Sequence, residues 1–406
     1  MGSGTWHEIQ GEIPAPKGFR ASGVSSGFKK HGEDLALIVS EREAHCAALF
    51  TTNQVKAAPI LVSQASLKKS QNNIRAILVN AGCANACTGK KGLEVALASA
   101  KLAAKELRVG ASQVLPASTG VIGKLLDLEK MKRAIPFAVQ SLSPWGLANA
   151  ARAIMTTDII PKIYSVKSLV AGREVTIAGI AKGSGMINPS LATMLSFIVT
   201  DAAINQKMLE MAFNRCVEKT FNSITVDGDT STNDMAAIIA NGGSGHRMIS
   251  SESAEYDHFS SGLMKVCDRL ARSIVHDGEG ATRFVEVTIK QARSYLEAKQ
   301  IAKAIANSPL VKTAVYGSDV NWGRIICAAG HSGVAFDPDL VDLYINKQCV
   351  MKRGAAHNFN LQKVREEFKQ PHIQVSLFLH QGKQGASVWT CDLSHEYITI
   401  NSTYTT

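Results

Sequence analysis

The 406-residue chain contains no apolar run of the about eighteen residues that would cross a bilayer, and no succession of basic, apolar and small residues typical of a secretory signal. A cytoplasmic protein, with no membrane as partner, is expected. Its eight cysteines are scattered along a long chain without a framework of spacings, so reduced thiols are expected and structural disulfides are not. Cys83 and Cys87 lie close together, yet no second cysteine or histidine pair at zinc-ligand spacing accompanies them. A small-residue turn is expected there, and no metal site. Aromatic residues make up only 6% of the chain and do not interleave with basic residues as in RNA-binding motifs. The net charge of +10 therefore does not point to nucleic acid. Its densest basic stretches, 124–133 and 363–369, carry interleaved acids and read as solvated faces. The positive field would still favour small substrates bearing carboxylates. Neither an internal repeat nor a low-complexity linker is present, although residues 241–245 mark an exposed loop.

What the chain does have is length enough for two or three lobes and a large core. Short apolar strands are expected at 35–39, 47–50, 74–79, 175–180, 194–199, 235–240, 284–289, 341–345 and 373–379. Between them, 92–108, 208–217 and 260–275 repeat at helical spacing. In the first helix Val95, Leu97, Ala98, Leu102, Ala103 and Leu107 are expected to form the buried face. In the third the stripe is Leu263, Val266, Cys267, Leu270 and Ile274. This alternation is a mixed α/β pattern.

Residues 182–202 hold the most informative position. Two glycines (Gly183, Gly185), a turn at Asn188-Pro189 and the small Ala192 lead to Thr193, and an apolar strand follows. If the Ala192–Thr193 bond were broken, Thr193 would carry a free α-amine beside its own hydroxyl, and an amine titrating near about pH 7.7–8 is a workable base. A buried β-branched strand residue is the commoner reading of such a position, and periodicity and composition do not identify a self-cleaving bond, so the local residues leave both readings open. Elsewhere, Val114-Leu115-Pro116 reads as a strand end opening into the glycine turn Ser118–Gly123, where Thr119 and Gly120 could aim two donors at one oxyanion. Lys182 lies eleven residues before Thr193, with turn-forming residues between that could fold it back as a partner for a substrate carboxylate. Glu279, between Gly278 and Gly280, sits where backbone can approach a ligand closely. The acidic run from Asp227 to Asp234 fails as a calcium loop, because its sixth position is Thr232 and its twelfth Ile238; a magnesium phosphatase would need further acids than Asp319 supplies. A structured loop near the site is expected instead.

Taken in order, the blocks 182–202, 118–123, 156–158, 226–234, 277–280 and 321–324 resemble the ornithine acetyltransferases, the self-processing glutamate N-acetyltransferase family of arginine biosynthesis. The likeness runs from about residue 10 to the last residue. It implies layered α/β lobes with helices covering β-sheets, of the ornithine acetyltransferase and self-processing aminopeptidase kind, with the active site at the junction of the two chain halves. It implies cleavage at Ala192–Thr193 into an alpha chain, 1–192, and a beta chain, 193–406, intertwined and assembled as two of each. Thr193 is then the nucleophile, and Thr119 and Gly120 form the oxyanion hole. Thr156, Lys182, Thr193, Glu279, Asn401 and Thr406 line the amino-acid site. The implied reaction moves the acetyl group of N2-acetyl-L-ornithine to L-glutamate, with no metal or prosthetic group. Acetyl-CoA stays open as a second acetyl donor. The alternative is a self-processed N-terminal threonine or serine aminopeptidase, in which water replaces glutamate.

Overall fold

Every residue of the strand Leu195–Thr200 is buried, because both faces of its sheet are covered. The computed structural model describes residues 5–188 and 194–403. Ala192, Thr193 and Thr406 lie outside the described residues. The six-stranded sheet runs in the order His7–Glu8, Lys162–Val170, Arg173–Lys182, Leu195–Thr200, Met235–Ala240, His45–Phe50. Leu195–Thr200 pairs antiparallel with Arg173–Lys182 and parallel with Met235–Ala240, so Leu195 lies between Lys182 and Met235. A four-stranded sheet, Phe19–Val24, Leu35–Ser40, Ala76–Cys83 and Val114–Val121, packs against its inner face.

The period-two alternation of strands assigns each side chain to a layer. Ala178, Ile180, Phe197 and Val199 meet Ile38, Ile77, Val79 and Leu115 between the sheets. Ile177 and Ile198 instead face the helices Gln206–Lys219 and Ala254–His276. On the far side, Leu35, Leu37 and Leu78 meet the helices Gly89–Leu107 and Leu128–Gln140. Helix, sheet, sheet and helix layers result. The longest helix, Ala254–His276, begins where the Ser253 side chain accepts from Tyr256 N–H, with Glu255 and Asp257 in its first turn and His276 in its last, all favourable to the helix dipole. Its expected stripe is buried.

A second lobe is built on another six-stranded sheet, ordered Ala355–Ala356, Gln348–Lys352, Asp342–Ile345, His372–Phe378, Phe284–Ala292 and Gln384–Cys391. The helices Tyr295–Ala306, Pro309–Tyr316, Trp322–Gly330 and Leu361–Phe368 share its core. Among the described residues no helix is long and apolar enough to cross a membrane.

The α/β architecture matches the sequence expectation, and two of the differences within it have clear physical causes. The helix Gly89–Leu107 buries Gly92, Ala96, Ser99, Ala100, Ala103 and Ala104, while Leu97 is 41% exposed. Small side chains allow close approach to the neighbouring helix and sheet, and this outweighs the larger apolar residues that had defined the expected face. Val114–Val121 is one strand and does not turn at Ser118. Pro116 is tolerated because this is an edge strand, where a missing N–H costs no ladder bond. Since Phe197 fills the layer between the sheets, Phe197→Ala should lower stability by about 3–5 kcal/mol, read from the urea midpoint at unchanged m-value.

Candidate active site

Strand ends set the floor of one cavity. It is lined by Thr119 and Gly120 from the four-stranded sheet, Lys182 and Leu195 from the six-stranded sheet with Met194 just before the latter, the 231–234 segment, Thr156, Glu279 and Asn401. Residues from both sides of position 193 in the chain thus meet there. Gly120 sits at a register irregularity where Cys83 pairs with both Thr119 and Val121. Its φ of +124°, and the 2.5 Å that would separate a Cβ from the Gly82 backbone, leave no room for another residue.

Lys182, buried at the end of its strand, donates to the Thr156 hydroxyl at 2.7 Å and the Thr119 hydroxyl at 3.2 Å. Burial lowers its pKa, opposed chiefly by the Asp158 carboxylate. Asp158 accepts from Gly183 N–H at 2.7 Å, from Thr156 N–H at 3.0 Å and from Lys162 at 2.7 Å. Burial works to raise the Asp158 pKa, but Lys182, Lys162 and the Gly183 N–H outweigh it and hold the group at about 2. Lys162 also binds Asp277 at 2.5 Å, and Asp277 accepts from Ile159 N–H at 3.0 Å. A fully buried cation bridging two carboxylates therefore ties the Thr156 turn, the Lys182 strand end and the end of the longest helix together.

Glu279 follows two residues later, held by its N–H to the Ser184 carbonyl at 2.9 Å. Its carboxylate lies over Gly185, where a Cβ would come within 2.4 Å of it. Asn401 Nδ2 donates to Glu279 Oε2 at 2.8 Å, from the helix His395–Thr403. The loop after Val226 clamps the segment leading toward position 193. Asp227 accepts from Met186 N–H at 2.6 Å and Ile187 N–H at 2.8 Å, and Tyr397 OH donates to it at 3.3 Å.

The structure thus brings Thr119, Gly120, Thr156, Lys182, Glu279 and Asn401 to one cavity. The sequence reading overlooked Lys162 and Asp277, which are far apart along the chain, and it left Asp234 without a role. An acid next to an apolar strand, as Asp234 is, was the one signal available.

Hydroxyl and backbone donors around a buried lysine, with a carboxylate opposite, define an acyl-transfer class of site for amino-acid substrates. The ArgJ family model matches residues 20–406. The arginine biosynthesis bifunctional protein ArgJ of Caldanaerobacter subterraneus subsp. tengcongensis is 46% identical over 98% of this chain and 99% of its own. That of Listeria monocytogenes is 43% identical over 98% of this chain and 99% of its own. A solved structure of the Bacillus halodurans protein of that name is 40% identical with a TM-score of 0.51, covering 52% of this chain and 100% of the solved one. The chain belongs to the ArgJ family and is an enzyme of arginine biosynthesis.

Removing Lys162 would leave two buried carboxylates unpaired, so Lys162→Met should cost about 3–5 kcal/mol, measured by urea unfolding at pH 7. The depressed Asp158 contributes stability that is fully present above its unfolded pKa, near about 3.9. That contribution should fade as pH falls through this value toward about 2.

Proposed function

We propose that the chain transfers the acetyl group of N2-acetyl-L-ornithine to L-glutamate through an ester on Thr193, releasing L-ornithine and N-acetyl-L-glutamate. The precursor cuts itself at Ala192–Thr193, and the fragments 1–192 and 193–406 stay intertwined and assemble as two of each. The single observation that carries the reading is the Lys182 contact to Thr119. A hydroxyl whose oxygen accepts from a cation has its own proton polarised and free to donate to negative charge developing in the cavity that Thr119 lines. Two further facts support it. Lys182 pairs with Leu195, two residues after Thr193 in the sequence. Met194 and Leu195, which follow position 193, both line that cavity.

The α-amine of Thr193 takes the hydroxyl proton as Oγ bonds to the acetyl carbonyl carbon, and the carbonyl electron pair moves onto oxygen. Thr119 Oγ1–H and Gly120 N–H receive that oxyanion. As it collapses the carbon–nitrogen bond breaks, and the ammonium returns its proton to the departing ornithine amine. Glutamate reverses the sequence and collects the acetyl group. Lys182 and Thr156 bind a substrate carboxylate, and Glu279, with Asn401 on its Oε2, pairs with an ammonium group; Thr406 is a further substrate-binding residue in this reading. No prosthetic group enters these steps. Acetyl-CoA serves as a second donor in this reading, in keeping with the bifunctional name of the relatives.

Intact-mass measurement of the purified protein should give two fragments meeting at 192/193, and Thr193→Ala should stay whole and inactive. A single chain with full transferase activity would overturn the mechanism. Thr119→Ala should be cut, yet lose about 10²–10³ in kcat with little change in KM for acetylornithine. Incubation with acetylornithine alone should add one acetyl mass to the fragment beginning at Thr193.

A further inference from the structure

Asp234 lines the cavity and is used by none of the steps above. Its carboxyl is buried, and its Oδ2 has no hydrogen-bond partner among the described residues. A buried polar atom left unpaired is costly and calls for an explanation. Its place in the sheet supplies one. The next residue, Met235, donates its N–H to the Met194 carbonyl at 3.1 Å and pairs in parallel register with Leu195. Asp234 therefore precedes Met235 on the strand adjoining the one that Thr193 precedes. Position 193 is the residue before Met194 in the sequence.

We propose that Asp234 is a positioning residue for the base: its free carboxyl oxygen holds the α-amine that cleavage creates on Thr193. This rests on Thr193 being the amino-terminal nucleophile. Before cleavage the nitrogen of residue 193 is a neutral amide and gives the carboxyl no cation. After cleavage it is an amine, and the carboxylate orients it toward its own hydroxyl. It also stabilises the ammonium formed while the amine carries the hydroxyl proton, as a buried aspartate does for the histidine of a catalytic triad. Asp234 exchanges no proton itself. Burial pushes its pKa well up, opposed by the Ser231 side chain and by Lys182. That is the state expected of a carboxyl whose own cation has not yet formed. The charged groups sharing its cavity are Lys182 and Glu279. Lys182 donates to Thr119 and Thr156, and Glu279 accepts from Asn401.

The test is Asp234→Asn, which keeps shape and removes the charge. The variant should still be cut, shown by two fragments in intact mass. Its kcat for acetyl transfer should fall at least about tenfold, while KM for acetylornithine changes less than about threefold. Because a neighbouring carboxylate raises an amine pKa, the acid limb of its kcat/KM profile should move toward acid by at least about half a unit. A cut variant with unchanged kcat and an unshifted limb overturns the proposal. So does a folded variant that stays whole, because the carboxyl would then be needed before any amine exists. If the carboxamide prevents folding, Asp234→Ser, which admits water, is read by the same measurements. Failure of the underlying reading would show separately, as a wild-type chain that is active without being cut.

Discussion

The buried Asp158 carboxylate organises the site. It takes two backbone N–H groups and one lysine, from the Thr156 turn, Gly183 and Lys162. Lys162 in turn reaches Asp277 at the end of the longest helix. Every side chain that lines the cavity from these elements depends on this arrangement. The Thr156 hydroxyl and Lys182 meet because Asp158 holds the backbone N–H of Thr156 and that of Gly183, the residue after Lys182. Glu279, two residues beyond Asp277, inherits its place from the same bridge. Taking three ionised groups out of water is expensive, and here the cost is offset by fixing three chain segments to one another.

Charge around the cavity is arranged unevenly. Lys182 loses basicity through burial, whereas Asp158 loses its proton readily because cations and an N–H surround it. Asp234 and Asp227 are pushed the other way by burial, although backbone donors restrain Asp227. Titratable groups whose surroundings drive them apart mark functional sites. Asp227 is spent on structure, holding the backbone of Met186 and Ile187 and so the approach to position 193. Tyr397 caps it from the C-terminal helix, linking the last element of the fold to the segment that leads toward position 193.

The central strands were legible because they are buried on both faces and read as unbroken apolar runs. Leu35–Ser40, Leu195–Thr200 and Met235–Ala240 lie within a residue or so of the expected ranges. Val114–Val121 was cut short because Pro116 and Gly120 resemble turn residues until the strand is known to lie at an edge. Lys162–Val170 was missed since Lys162, Ser165, Lys167 and Ser168 interrupt its apolar run, although three of these four are buried.

Local chemistry along the chain determined that residues 118–123, 182–202 and 277–280 matter, because glycines beside a hydroxyl, a cation or a carboxylate are legible one segment at a time. It also determined the α/β class, through periods that depend only on near neighbours. Only the tertiary structure decided that Lys182 touches Thr119 and Thr156, and that Asp277 is the partner of Lys162. Only it revealed that Asp234 has a free oxygen inside the cavity. The reason is physical: a hydrogen bond or a buried charge depends on distance and dielectric in space. Residues 115 apart in sequence, as Lys162 and Asp277 are, acquire that distance only when strand register and helix packing have been set.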